Sequence, residues 1–497
     1  MSQKSHQDWQ DLAETLPIPH YAFIDGQQAN ADSGATFTSI NPATGKALAD
    51  VASCDADDVN RAAAAARTAF GDRRWAGQPL AARKRIMQNI AEGLRKNAAE
   101  LALLDSLDMG KRVVDAYELD VPFSASLFDF YGESLDKLNG EAVTMDDGVH
   151  ATITKEPLGV VGAVVPWNYP VDMAAWKLAP AIAAGNSVVL KPAEHSPLSA
   201  IRLAEIFAEA GLPDGVVNVV PGFGETAGQA IGRHMDIDTL VFTGSTGVGK
   251  MFQRYAGESN MKQVWLECGG KSANLIFADV EDLQKAAESA AFDVFFNQGE
   301  VCSSHSRVLV QRDVHQEFVA HLRAIAERYQ PGDPLDPASG MGAMVTAEHT
   351  DMVEGFISRA RQEADVVAGG RRVTLGGSDC YLEPTVVDNV HPESELGQNE
   401  VFGPVLAVIP FDTEEEAIRM ANSTQFGLAA SLWTSNISRA HRVARQLVAG
   451  TVSINTTDAF GAQTPFGGFK SSGYGRDLSL HALDKYQGLK TTWLAYQ

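Results

Sequence analysis

Little in this chain of 497 residues points to metal, disulfide, membrane or nucleic acid. Its four cysteines, Cys54, Cys268, Cys302 and Cys380, include no C-x-x-C pair, and no histidine spacing completes a zinc set. No metal site is expected, and the cysteines read as free thiols. Basic residues are outnumbered: 40 Lys and Arg against 63 Asp and Glu leave a net charge of −23. Gripping a phosphate backbone needs basic surface, so nucleic acid is not expected as a partner. Like charge keeps such a protein apart in solution. No apolar run approaches the ~18 residues of a membrane span, and the longest uniform stretch, Leu158 to Val165, is strand-sized. The opening MSQKSHQDWQ lacks a basic start followed by an apolar region. No secretory signal is read there, and a cytoplasmic location is expected. Internal repeats, low-complexity segments and Pro/Gly/Ser linkers are also missing, so the expected two or three domains should pack closely together.

What is present alternates. The first third is helix-rich, with one helix over Asp57 to Phe70 and helical spacing over Leu80 to Met109, broken near Gly110. Residues 141–155 alternate polar and apolar around Asp146-Asp147-Gly148 and read as a hairpin. From Gly159 the pattern changes. GVVGAVVPW, SVVLKP, GVVNVVPG and DTLVFTGS read as strands, separated by helices over 172–184, 197–210 and 226–234. Further strands are expected near 306–311, 406–410 and 451–455. This alternation implies α/β architecture with parallel sheets and helical crossovers.

Two glycine turns follow strands. Gly222-Phe223-Gly224-Glu225-Thr226-Ala227 fits G-x-G-x-x-A, where glycines permit close approach of backbone to phosphate; an ordinary strand–helix turn fits as well. The acidic residue that usually accompanies this fingerprint is missing, because the next strand ends in Thr243-Gly244-Ser245. Gly244 to Lys250 matches the phosphate loop of NTPases, but Met251 stands where that loop needs a hydroxyl for Mg²⁺. The NTPase alternative therefore loses its metal ligand. A helix N-terminus facing a pyrophosphate remains open to this turn.

Cys302 follows Asn297-Gln298-Gly299-Glu300-Val301 in a small, polar stretch, where a thiol can be exposed and reactive. Glu267 ends a strand before Gly269-Gly270 and could serve as a general base if burial raises its pKa; a surface salt bridge is the plainer reading. Asn168, in Pro166-Trp167-Asn168-Tyr169-Pro170, could donate to an oxyanion or cap a turn.

Taken together these stretches resemble the aldehyde dehydrogenase superfamily from about Ile24 to Trp493. The resemblance is carried by VPWNYP at 165–170, KPAEHSP at 191–197, FTGSTGVGK at 242–250, LECGGKSANLIF at 266–277, NQGEVC at 297–302, NEVFGPV at 399–405 and PFGGFKSSGYGRD at 465–477. With RDLSLHALDKY near the C-terminus, the chain looks most like bacterial γ-glutamyl-γ-aminobutyraldehyde dehydrogenases of polyamine breakdown. The resemblance implies NAD as cofactor and an aldehyde as small-molecule substrate. It assigns Cys302 as nucleophile, Glu267 as the base that activates water, Asn168 as oxyanion donor and Lys177 as its support. Lys191 and Glu194 would hold the adenosine ribose, Ser245 and Trp167 the pyrophosphate, and Glu400 the nicotinamide ribose beside Phe402. Val165, Pro166, Gly224, Phe242, Gly244, Val248 and Gly269 complete the implied cofactor site. Tyr169, Met173, Trp176, Phe296, Asp458, Phe460 and Phe466 would line the substrate tunnel, with Asp120 and Asp172 in segments beside it. Such an aromatic tube suits a methylene chain, and the acids could attract a positive end group.

The implied fold has a Rossmann-like cofactor domain over 1–137 and 157–269 and an α/β catalytic domain over 270–472. An oligomerisation arm is formed by 138–156 and 473–497, and a homodimer or homotetramer is expected. Three departures stand out. Cys268 and Asn399 replace the residues usual beside the base and the ribose-binding glutamate, and NTTDAF at 455–460 resembles general aliphatic enzymes. The last leaves a general aliphatic or aromatic aldehyde as the alternative substrate. Cys268 adjoins the base; a small buried filler thiol is the plainer reading, and a reversible disulfide with Cys302, an oxidative switch, is the alternative.

Overall fold

The computed structural model describes residues 4–496. Its first sheet grows from the valine-rich runs. Strands β1 (Val160–Val164), β2 (Ser187–Lys191), β3 (Val217–Val219), β4 (Thr239–Gly244) and β5 (Gln263–Cys268) lie parallel in the order β3-β2-β1-β4-β5. All residues of β1, β2 and β3 are buried, as expected of strands covered by helices on both faces. The crossovers are α1 (Pro170–Ala184), α2 (Leu198–Glu209) and, between β4 and β5, α3 (Thr246–Gly257). Proline opens α1 and left-handed Gly185 closes it. The chain leaves β1 in one direction for β2 and β3, then returns to its other side for β4. A crevice therefore opens at the carboxyl ends of β1 and β4, the usual ligand position in doubly wound sheets. Antiparallel strands Ala22–Ile24 and Gln27–Ala29 extend the far edge. Gly473–Tyr474, placed with the arm by the sequence reading, instead pairs with β5.

A second sheet contains β6 (Ala273–Ile276), β7 (Arg307–Gln311), β8 (Thr385–Asp388), β9 (Val405–Phe411), β10 (Ala429–Trp433) and β11 (Thr451–Ile454). They run parallel in the order β8-β9-β7-β6-β10-β11, with antiparallel Asp365–Ala368 at one edge. Helix α4 (Leu283–Phe295) crosses from β6 to β7 and delivers the segment that carries Cys302. The expected hairpin is present as Glu141–Val143 and Val149–Pro157, and the latter strand also pairs along its whole length with Gln487–Ala495.

Some local expectations need correction. Leu80 to Met109 is two helices, Leu80–Lys96 and Ala98–Met109, separated at Asn97. The helix expected over 226–234 opens with a π-helical turn, Gly224–Gly228, before the short Gln229–Arg233. An N-terminal helix, His6–Thr15, has a Ser5–Asp8 capping box and buries Trp9 against Tyr117. No helix among the described residues is long and apolar enough to cross a membrane, and no metal-ligating cluster occurs among them.

Candidate active site

Two strands and one loop converge on the thiol. After α4 the chain forms a tight turn, Phe296–Gly299, in which Asn297, Gln298 and Gly299 are all left-handed (φ 49°, 56° and 73°). This turn projects Cys302, half-buried, toward the end of β5. The turn is tied from both sides. Asn297 Nδ2 donates to the Asn168 carbonyl at 2.9 Å, and Asn168 Nδ2 donates to the Glu300 carbonyl at 2.7 Å. Asn168 thus spends one amide hydrogen on the thiol loop and keeps its second. Glu300 is fully buried, accepts from the Val345 N–H at 3.0 Å, and burial pushes its carboxyl well above the usual range. It stiffens the loop and does not face the thiol chemistry.

Glu267, on β5, is buried, and neither carboxylate oxygen has a hydrogen-bond partner by geometry. Burial, aided by the charge of Asp477, pushes its pKa up to about 8, while Lys177, the nearby Cys302 thiol and Lys485 oppose the rise. A carboxyl in that state is poised to exchange protons near neutral pH. The thiol is itself pushed well up, by burial first and then by Glu267, Asp458 and Glu400. Behind Glu267, Lys177 Nζ meets Asp477 at 2.5 Å, and Lys485 bonds the other Asp477 oxygen. Burial alone would raise Asp477; the two lysines more than offset it and hold it low. Burial pushes Lys485 down to about 8. These groups and Glu267 border a cavity of about 10 Å³, on the order of one water. Lys177, expected as a support of the oxyanion donor, is bonded to Asp477 behind the base. Asp477 and Lys485 were not singled out, because their convergence on β5 depends on the fold of the C-terminal segment.

The glycine turns frame the crevice. Ser245 caps α3, its hydroxyl accepting from Val248 N at 3.3 Å, and Val248 is exposed beside it. A Cβ on Gly224 would meet nothing within 4 Å, so that turn is open. Lys191 Nζ lies 3.2 Å from Glu194. Trp167 packs edge-on against Phe402, and Pro166 and Trp167 are half-buried beyond buried Val165 at the end of β1. Glu400 arches over the end of β5. Its Oε1 accepts from Gly270 N at 3.0 Å, and a Cβ on Gly269 would stand 2.0 Å from its other oxygen. Burial raises Glu400 to about 7. Phe242 is different: it is buried against Phe252 beneath Gly244 and supports the turn from below.

Of the tunnel residues, Trp176, Phe460 and Phe466 form one aromatic cluster with Phe123, at centroid separations of 5.2–6.3 Å. Tyr169 lies beneath Lys111, whose Nζ is 4.0 Å from its ring centroid. Met173 is buried on α1, and Phe296 stacks on Phe292. The three acids separate. Asp120 is buried and paired with Lys111, and Asp172 is buried and accepts from Ser124 Oγ at 2.6 Å. Neither faces solvent as an attracting charge. Only Asp458 keeps part of its surface exposed.

Cys268 does not serve the proposed switch. Side chains alternate across a strand, so Glu267 and its neighbour point to opposite faces. The Cys268 sulfur packs under α3, where a Cβ on Gly249 would lie 3.0 Å away, within a core cluster separate from that of Cys302.

A thiol and a raised carboxyl beside a dinucleotide-type crevice are what a dehydrogenase working through a covalent intermediate requires. The chain belongs to the aldehyde dehydrogenase family, whose profile matches residues 29–492. It is 46% identical over 489 residues to the NADP/NAD-dependent aldehyde dehydrogenase PuuC of Escherichia coli K12, covering 98% of each chain. Among solved structures, P. syringae AldA indole-3-acetaldehyde dehydrogenase, in complex with NAD⁺ and IAA, superposes with a TM-score of 0.98 at 49% identity, covering 99% of this chain and all of that one. The γ-glutamyl-γ-aminobutyraldehyde dehydrogenase of Burkholderia cenocepacia does so with a TM-score of 0.98 at 48% identity, with the same coverage. This protein is accordingly an aldehyde dehydrogenase.

Proposed function

We propose that the protein oxidises an ω-amino or γ-glutamyl-amino aldehyde to the carboxylic acid with NAD, through a thiohemiacetal and then a thioester on Cys302. The observation that carries the mechanism is the buried, unpartnered carboxylate of Glu267 beside that thiol. Thiol attack on the carbonyl carbon requires the thiol proton to leave, and Glu267 is the base at hand. The oxyanion then takes a hydrogen bond from the free amide hydrogen of Asn168 and another from the Cys302 backbone N–H. Preorganised donors aimed at a developing charge lower the barrier most. Once Glu267 has released that first proton to solvent, it removes a proton from the water that attacks the thioester, and it returns this proton to the Cys302 sulfur as the carboxylic acid leaves. Lys177, through Asp477, keeps positive charge behind the base.

NAD, when bound, supplies the acceptor for the hydride that leaves the tetrahedral carbon. The residues present fit it. Open Gly224 and the Ser245-capped N-terminus of α3 suit a pyrophosphate with Trp167. Lys191 and Glu194 suit the adenosine ribose, and Glu400 with Phe402 suits the nicotinamide ribose. Val165, Pro166, Gly244, Val248 and Gly269 would border the cofactor, with Phe242 beneath. The Glu194 carboxylate favours ribose hydroxyls over a 2′-phosphate.

The Burkholderia enzyme's name supports the amino-aldehyde reading. The indole-3-acetaldehyde enzyme supports an aromatic aldehyde as the second reading, consistent with the Phe123–Trp176–Phe460–Phe466 cluster. Cys302→Ala tests the mechanism: NADH production should fall by at least about a thousandfold, as for loss of a covalent nucleophile, while NAD binding by calorimetry persists. Retained turnover would remove Cys302 from the chemistry.

A further inference from the structure

Asp458 stands apart from the other acids of the tunnel. It sits in the loop after β11, in a left-handed conformation with φ 44°. That loop is pinned. Thr457 bonds Ser289 of α4 at 2.9 Å, and the Asn455 side chain exchanges bonds with the Thr434 backbone at 3.0 and 3.1 Å. Ser303, one residue past the nucleophile, lies near Asp458, and its hydroxyl helps to hold that carboxylate down. Behind it lies a second, fully buried carboxylate, Asp293. It accepts from the His305 backbone N–H at 2.6 Å and from His305 Nδ1 at 3.1 Å. Burial alone would lower the His305 pKa, but Asp293, with Asp458 and the Ala430 backbone, outweighs burial and raises it. Burial and Asp293 raise Asp458 only to about 6, so it is ionised at neutral pH. Two residues on, Phe460 packs with Phe123, Trp176 and Phe466, which sets the Asp458 loop beside the tunnel wall, and the charge of Asp458 raises both the Cys302 thiol and the Tyr169 phenol.

We propose that Asp458 is the specificity-determining acceptor for a protonated amine a short chain away from the aldehyde carbon, which makes short aminoaldehydes the favoured substrates. The assignment rests on the aminoaldehyde reading above and deepens it. The amine bonds Asp458, which keeps part of its surface exposed, while its carbonyl reaches Cys302. Asp120 and Asp172 cannot substitute, being committed to Lys111 and Ser124. The fixed loop holds the carboxylate in place before substrate arrives, which spares the ordering cost of binding.

The experiment compares kcat/KM for 3-aminopropanal and butanal, which have equal numbers of heavy atoms, in the wild type and in Asp458→Asn at low salt. Asparagine tolerates the left-handed backbone and keeps the side-chain shape. The wild type should prefer 3-aminopropanal. In Asp458→Asn that preference should fall about tenfold or more, the scale of a lost charge-assisted hydrogen bond, with most of the change in KM. No wild-type preference would overturn the aminoaldehyde reading itself. A preference undiminished in the variant, or an equal loss for both substrates, would overturn the role of Asp458 alone. A second measurement needs no variant: n-propylammonium should inhibit wild-type butanal oxidation more strongly than propan-1-ol, and equal inhibition by the two overturns the site.

Discussion

Glu267 has the most consequential environment in the molecule. A carboxyl held at about 8 by burial is largely protonated at neutral pH. Hydrolysis of a preformed acyl-enzyme should therefore quicken as pH rises and level off above about 8. Rapid-quench mass spectrometry of the acyl adduct reads this directly, and a flat profile between pH 6 and 9 would contradict the role. The same shift bears on stability. A carboxyl whose folded pKa lies above its unfolded value binds more protons when folded, so its contribution falls as pH rises from about 4.5 to about 8. Glu267→Gln removes that loss. The melting temperature of the variant relative to wild type should be higher at pH 9 than at pH 5. The sequence made Glu267 legible as a candidate because it ends a strand before two glycines, but not its lack of partners. That depends on Asp477 and Lys485, more than two hundred residues away, which reach β5 only after the C-terminal segment folds back.

At the scale of elements, the alternating βα pattern was readable because buried parallel strands are continuous valine runs. The π-helical turn at Gly224–Gly228 and the break at Asn97 were not, because neither interrupts the apolar spacing. The thiol loop was recognised by its motif, whereas its geometry comes from tertiary contact. A Cβ on Gly299 would stand 2.2 Å from the carbonyl carbon and oxygen of Gly403, and 2.7 Å from Pro404 N. These are backbone atoms that cannot swing aside. They follow Glu400 and Phe402, so the thiol loop and the proposed ribose loop are packed as one unit through a glycine with φ 73°. Gly299→Ala must move both. The expected result is a loss in kcat of about a hundredfold, as a displacement on the order of 1 Å costs in a positioned site. A stability loss of about 1–3 kcal/mol should accompany it. Kinetics and denaturant titration on the same preparation check both. A loss of stability with kcat unchanged would show that the contact is structural only.

For the whole molecule, the third sheet carries the unresolved balance of forces. Gln487–Ala495 pairs with Val149–Pro157 over nine residues, yet leaves Leu489, Trp493 and Leu494 at 73%, 64% and 56% exposure. An antiparallel ribbon with large exposed apolar groups and an unpaired edge is where we expect a second copy to dock. The net charge of −23 opposes that contact at long range. Salt screens exposed charge beyond about 10 Å at 0.1 M but leaves buried apolar contact intact. Association through this ribbon should therefore strengthen with salt. The ribbon is also linked to chemistry: it begins two residues after Lys485, whose ammonium bonds Asp477 behind Glu267. Leu489→Lys with Trp493→Lys should shift the protein toward monomer in sedimentation velocity, most at low salt. Loss of a neighbouring copy would loosen the start of the ribbon, and with it the lysine that opposes the raised pKa of Glu267. The acyl-enzyme pH profile of the monomer should then move to higher pH than that of the wild type. A variant that remains associated at low salt would show that another surface holds the copies together. A monomer with an unshifted profile would show that Lys485 keeps its position without the partner.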